Sequence, residues 1–154
     1  MPWRTTFFEA LRESHQLQRS LCRKLLRSAP HTEERVALFT EIRVELAAHA
    51  AAEERYLYAP VLMADAGLNS SRHALHEHHE IDELIEELQV VDKSRAGWLQ
   101  RARRLSEQVH HHLSEEEKKF FQVSGSILSD AQKQRIAGQY RRDYARMRKA
   151  LNGG

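Results

Sequence analysis

A lone histidine followed 34 residues later by a His-x-x-x-Glu pair occurs twice in this chain: His15, His49 and Glu53, then, 63 positions on, His78, His112 and Glu116. Imidazole and carboxylate are the borderline-to-hard donors that first-row metal ions take. A histidine and a glutamate four apart on a helix project from one face, about one turn apart. Two related halves, each giving two imidazoles and one carboxylate, read as a site for two metal ions held by six ligands from four helices. Donor chemistry alone leaves iron, zinc and manganese all open.

Those ligands need helices to carry them, and the rest of the sequence supplies helices. Only six glycines and three prolines punctuate the chain, and no segment reads as a convincing strand. A first helix is expected from about Trp3 to Ser28, stopping before Pro30. Thr32 can cap a second, with Glu33 and Glu34 in its first turn and with Pro60 and Gly67 marking its kink and end. Ser70 or Ser71 opens a third helix that lasts to about Val91; Asp92 or Ser94 opens a fourth that continues past Phe121 until Gly125. Ser129 with Gln132 three residues later is a capping box for a fifth helix that ends near the Asn152-Gly153 tail. The expectation is all-α: an up-down-up-down four-helix bundle over residues 3–123 with an additional C-terminal helix over about 129–150, in one domain spanning 1–154.

Ten histidines are too many for one site, so the apolar seam has to select among them. On the fourth helix Leu105, Val109, Phe120 and Val123 mark the inward stripe, and His112 and Glu116 complete it. His111 lies with Arg104, Gln108 and Glu115, and His110 with Arg103, Glu107 and Ser114, so both face water. His78 falls in line with Ala74, Ile81, Ile85 and Leu88, whereas His76 and His79 sit among charged residues. His49 and Glu53 are bracketed by Ile42, Leu46, Leu57 and Pro60, and His15 by Phe8, Leu11, Cys22 and Leu25. A single inward histidine is usually a hydrogen-bonded core residue. Four of them beside two carboxylates would cost several kcal/mol per charge without compensation, roughly the whole net stability of a domain. Metal coordination is the compensation that fits.

Composition excludes more than it selects. The chain has 154 residues, 41% hydrophobic and 30% charged, with a formal charge of +2, so its bulk balance calls for neither nucleic acid nor membrane as partner. Its start, MPWRTTFFEALRES, lacks the apolar core of a secretory signal, and no apolar run approaches the length of a membrane span, so the cytoplasm is the expected location. One cysteine, Cys22, rules out an intrachain disulfide and a thiolate cluster. The arginines of the fifth helix, without an aromatic series among them, read as a solvated face.

In ligand order and in the strings HAAAEERYLYAP, EHHEIDELIEEL and HLSEEEKKFF, the chain resembles the hemerythrin-like, His-His-Glu cation-binding family over about residues 5 to 123. The resemblance implies a non-heme diiron centre in which Glu53 and Glu116 bridge the irons and His15, His49, His78 and His112 are terminal ligands. An oxo or hydroxo bridge would bring each iron to five donors. A ferritin-like site is not indicated, because only Glu107 with His110 has its Glu-x-x-His spacing. Oxygen carriers of the family have a further histidine one turn before His78, where this chain has Ala74.

An open position on both irons suits redox turnover of hydrogen peroxide or nitric oxide better than reversible oxygen carriage. Sensing or storage of oxygen, nitric oxide or iron, and delivery of iron for iron-sulfur cluster repair, are the alternatives. Tyr56, one turn beyond Glu53 at the edge of the seam, is the candidate for a hydroxyl bonded to a bridging carboxylate or reaching an iron. Its plainer reading is a packed aromatic.

Overall fold

The computed structural model describes residues 7–153, so the expected start at Trp3 lies outside the described residues. Five helical rods account for the described chain: α1 (Phe7–Arg27), α2 (Glu33–Glu53), α3 (Leu68–Val90), α4 (Ala96–Glu115) and α5 (Asp130–Gly153). The rods of α2 and α4 run on through a widened turn, Glu54–Tyr58 and Glu116–Phe120, into short α-helical ends, Ala59–Leu62 and Phe121–Ile127. No strand occurs among the described residues.

Local chemistry sets the ends. Thr32 Oγ1 accepts the Arg35 N–H at 3.2 Å and so caps α2. Ser129 and Gln132 form the expected reciprocal box at the start of α5: the Gln132 N–H donates to Ser129 Oγ and the Ser129 N–H to Gln132 Oε1. Three boundaries differ from expectation. A single 3₁₀ turn, Asp65–Gly67, feeds α3 from Leu68, ahead of Ser70. Asp92 spends its carboxylate on the N–H and hydroxyl of Ser94, forming a tight turn in front of α4. Gly125 does not break α4's rod, which continues to Ile127 with Phe8 packed over the glycine.

α1 to α4 form the bundle, and α5 packs along the face made by α1 and α2. Two apolar clusters plug the interior. One, built on Phe7, Leu11, Leu57, Val61 and Phe120, also takes in Ile136 and Tyr140 of α5. The other, built on Leu25, Ile42, Leu88, Trp98 and Leu105, closes the far end. Between them lies a layer of buried histidine and glutamate.

Candidate metal centre

Each half of the bundle delivers its histidine and glutamate by the same local device. His49 and Glu53 share one face of the α2 rod and His112 and Glu116 one face of the α4 rod, and the helix widens by one residue just after Glu53 and from Glu116 onward. The Ala59 N–H reaches back to the Glu54 carbonyl and the Phe121 N–H to that of Glu116, five residues in both cases. Pro60, which has no N–H to give the preceding turn, follows the first of these widened turns. The extra residue rotates the following side chains, so the fifth position after the glutamate points inward: Tyr58 in α2 and Phe121 in α4. His78 then packs against Tyr58 with ring centroids 5.2 Å apart, and His15 against Phe121 at 5.9 Å.

All six residues singled out by spacing meet in this layer, with His15 and Glu53 fully buried and the other four at most 6% exposed. Their ligand atoms fall into two sets, each within 4.8 Å: His15, His49, Glu53 and Glu116, and Glu53, His78, His112 and Glu116. Both carboxylates belong to both sets, an arrangement suited to two ions sharing two bridges. In the first set His15 Nε2, His49 Nε2, Glu53 Oε2 and Glu116 Oε1 are buried with no aligned hydrogen-bond partner, although His15 Nε2 lies 3.2 Å from Glu116 Oε1. Unsatisfied buried polar atoms cost about 1–3 kcal/mol each. Four of them aimed at one volume are what a cation would satisfy, and the residues present therefore fit a metal.

The outward ring nitrogens are also committed. Nδ1–H of His15 donates to Glu117, that of His78 to Glu54 and that of His112 to Glu77, at 2.8 to 2.9 Å. A carboxylate can only accept, so in the neutral imidazole these bonds keep the proton on Nδ1 and leave the Nε2 lone pair facing inward. His49 differs, because its Nδ1 lies 2.7 Å from the hydroxyl of Tyr140 on α5, which Ser14 in turn holds at 2.8 Å. Glu54 and Glu117 each follow a ligand glutamate, so the internal repeat reads His-x-x-x-Glu-Glu, one residue longer than the six ligands suggested. Glu77 and Ser14 are likewise equivalent in the repeat. A carboxylate reaches the imidazole directly in one half, and a serine and a borrowed tyrosine do so in the other.

Electrostatics follow from putting carboxylates in the core. Burial opposes protonation of His15, but Glu116, Glu117 and Glu53 outweigh it and raise its pKa to about 9. Burial likewise opposes protonation of His78, and Glu53, Glu54 and Glu116 carry it up to about 10. Glu117 is pushed down to about 2: His15 and Arg19 outweigh its burial. Burial and the neighbouring Glu53 hold the carboxyl of Glu116 above its ordinary range.

One expectation needs correction. Tyr56 does not reach the carboxylates. The widened turn rotates it outward, and it lines a surface cleft with Gln139, Arg142 and Asp143 while resting against the apolar plug. Tyr58 takes the role instead: its hydroxyl donates to Glu53 Oε1 at 2.8 Å and bonds Glu116 Oε2, with His78 Nε2 at 3.4 Å. The arginines of α5 lie on the expected solvated face, Arg141 and Arg146 being exposed, and three of them meet acids there. Arg141 pairs with Glu13, Arg146 with Asp143, and Arg148 with Glu41 and Glu45. Cys22 is buried, with its thiol pushed up to about 11 by that burial, which suits packing and not chemistry. Ala74 lines a cavity of about 230 Å³ that reaches His112 and Glu116 from the α3/α4 face.

The family model of the hemerythrin HHE cation binding domain matches residues 6–123. A crystal structure of a hemerythrin HHE cation-binding-domain-containing protein from Mycobacterium kansasii superimposes with a TM-score of 0.85 at 22% identity, covering 95% of this chain and 89% of that one, and thus shares the fold past residue 123. A protein of Nostoc sp. named as a DNA nickase is 28% identical over 115 residues, 75% of this chain; the match spans 32% of that protein's length.

Two outcomes follow from this geometry. Tyr140→Phe removes the hydrogen-bond partner of His49 Nδ1 and should weaken metal binding by about 10-fold or more in competition with a chelator; unchanged affinity would show that α5 has no part in the centre. The second concerns pH. In the metal-free fold His15 and His78 keep their protons to about pH 9 and 10, whereas the unfolded chain loses them above 6.5. Their stabilising contribution is therefore complete below pH 6.5 and lost as pH rises to 9–10. Urea unfolding of metal-free protein should show stability falling across that window, with little fall once metal replaces the protons; a flat metal-free profile would contradict it.

Proposed function

This chain belongs to the hemerythrin HHE cation-binding family, and we propose that its buried centre holds two iron ions and disproportionates hydrogen peroxide, with nitric oxide as the alternative substrate. The observation that carries this reading is the pair of donor sets sharing Glu53 and Glu116. His15 and His49 would serve one ion, His78 and His112 the other, and the two glutamates both. The same nitrogen and oxygen donors suit zinc or manganese; iron rests on the family. Bound iron supplies the one-electron redox change and Lewis acidity that peroxide chemistry requires. Two peroxides become two waters and dioxygen with no outside electron donor, whereas reducing nitric oxide would need one.

The chain's own residues set the conditions for that chemistry. Ala74 in place of a larger donor leaves the α3/α4 side accessible to a small diatomic or peroxide through a cavity whose wall includes Phe120. Tyr58 places a hydroxyl between the two carboxylates, where it can pass or hold a proton, and its burial and the neighbouring charges of Glu116 and Glu53 keep that proton on oxygen well above the ordinary range. Its counterpart in the other half is Phe121, so only the His78/His112 side has this hydroxyl. The apolar plugs above and below keep bulk water from the layer. Nicking of DNA is what the Nostoc protein is named for, and the match covers about a third of that protein.

Iron-loaded protein should evolve dioxygen from peroxide over many turnovers per chain, as followed with an oxygen electrode. Ala74→His fills the cavity and adds a donor, and should slow turnover on the order of tenfold. His112→Ala should lose much of the iron and His110→Ala almost none. Clean reversible oxygen uptake without peroxide consumption would contradict the enzymatic reading; one zinc per chain and no iron would contradict the metal assignment.

A further inference from the structure

A second convergence of imidazole and carboxylate lies on the α3/α4 face, outside the buried layer. His73 and Glu77 are four apart on α3, and His111 and Glu115 four apart on α4, so each helix repeats on its outer flank the spacing that supplies the buried centre. The two pairs meet. His73 Nε2 lies 3.6 Å from Glu77 Oε2 and 3.2 Å from Glu115 Oε1. His111 Nε2 lies 3.4 Å from Glu77 Oε2 and 3.0 Å from Glu115 Oε2. Ligand atoms of His73, Glu77 and Glu115 all fall within 4.8 Å of one another. We propose that His73, Glu77, His111 and Glu115 form a third metal site, for a first-row divalent cation, at the mouth of the cavity that leads to His112 and Glu116.

Three observations set this cluster apart from ordinary surface pairs. His76 with Glu80 and His79 with Glu83 have the same spacing on α3, yet each stands alone with one imidazole and one exposed carboxylate. In the outer cluster two imidazoles and two carboxylates converge from two helices, a donor set that neutralises a dication and suits zinc, ferrous iron or manganese. Glu77 is only 4% exposed and anchored: its Oε1 accepts the Nδ1–H of His112 while Oε2 faces His73 and His111. A cation on Oε2 would thus be joined to a ligand of the buried centre through one carboxylate and one imidazole. The internal repeat supplies the third observation. The positions 63 residues earlier are Ala10, Ser14, Ala48 and Ala52, all buried beneath the face on which α5 packs. Small residues stand where a helix must dock, and metal-binding residues stand where the equivalent face is open. Lys119, with its ammonium 3.8 Å from Glu115 and 78% exposed, is the competing cation and is free to swing into water.

The test is a count of zinc ions per chain. Protein is equilibrated with a fixed excess of free Zn²⁺, and bound metal is measured for wild type, for His73→Ala/His111→Ala, and for His76→Ala/His79→Ala. All four histidines are more than half exposed, so both variants should fold, with circular dichroism as the check. Wild type should hold one more Zn²⁺ than His73→Ala/His111→Ala, and His76→Ala/His79→Ala should keep the full complement. Because the readout is a difference, it does not depend on which metal the buried layer prefers or how many ions it takes. Equal zinc in wild type and His73→Ala/His111→Ala, or the same loss from His76→Ala/His79→Ala, would overturn the proposal.

Discussion

Two carboxylates, Glu53 and Glu116, face each other in the middle of a helical bundle with almost no access to water. Anionic groups so placed cost several kcal/mol each unless positive charge and hydrogen bonds accompany them. Much of the interior serves that need. Four imidazoles turn their Nε2 atoms toward the pair, and the Tyr58 hydroxyl, donating to Glu53, also bonds Glu116. Without metal, protons on His15 and His78 supply the charge; metal ions supply more of it from the same positions. Binding of metal and release of protons are therefore coupled through one electrostatic requirement.

The two halves of the bundle solve that requirement alike and then diverge. Both place a histidine, a His-x-x-x-Glu-Glu segment and a widened helical turn at the same level. The first half is roofed by α5, which brings Tyr140 to His49 and needs Ala10, Ser14, Ala48 and Ala52 small enough to lie beneath it. The second half has no such roof, and there Glu77 holds His112 directly while Ala74 leaves a way in. Fold symmetry thus delivers two matched sets of histidine and glutamate, and the fifth helix covers only one of them.

Much of this was legible in the chain. Period and caps revealed the helices, because seam residues such as Leu105, Val109 and Phe120 repeat at helical spacing and Thr32 and Ser129 are strong start signals. The four buried histidines of the layer could be told from the remaining six because only they complete the seam. What sequence reasoning missed has physical reasons. Tyr58 lies five residues after Glu53, off the inward face of a regular helix, and only the widened turn brings it in; regular spacing pointed to Tyr56. Tyr140 lies outside the repeat, and nothing local marks it. Glu54 and Glu117 did carry a signal, the doubled glutamate recurring at the same offset of 63, but a carboxylate next to a ligand looks like helix surface until the neighbouring helix is in place.

X-ray absorption at the iron edge, on protein reconstituted with two equivalents of iron, tests the central claim most directly. If Glu53 and Glu116 are shared by two ions, each iron should show mixed nitrogen and oxygen neighbours together with a short iron–iron scattering path, and that path should vanish in Glu53→Ala or Glu116→Ala. Isolated iron with no metal neighbour in the wild type, or a path that survives loss of either glutamate, would contradict it.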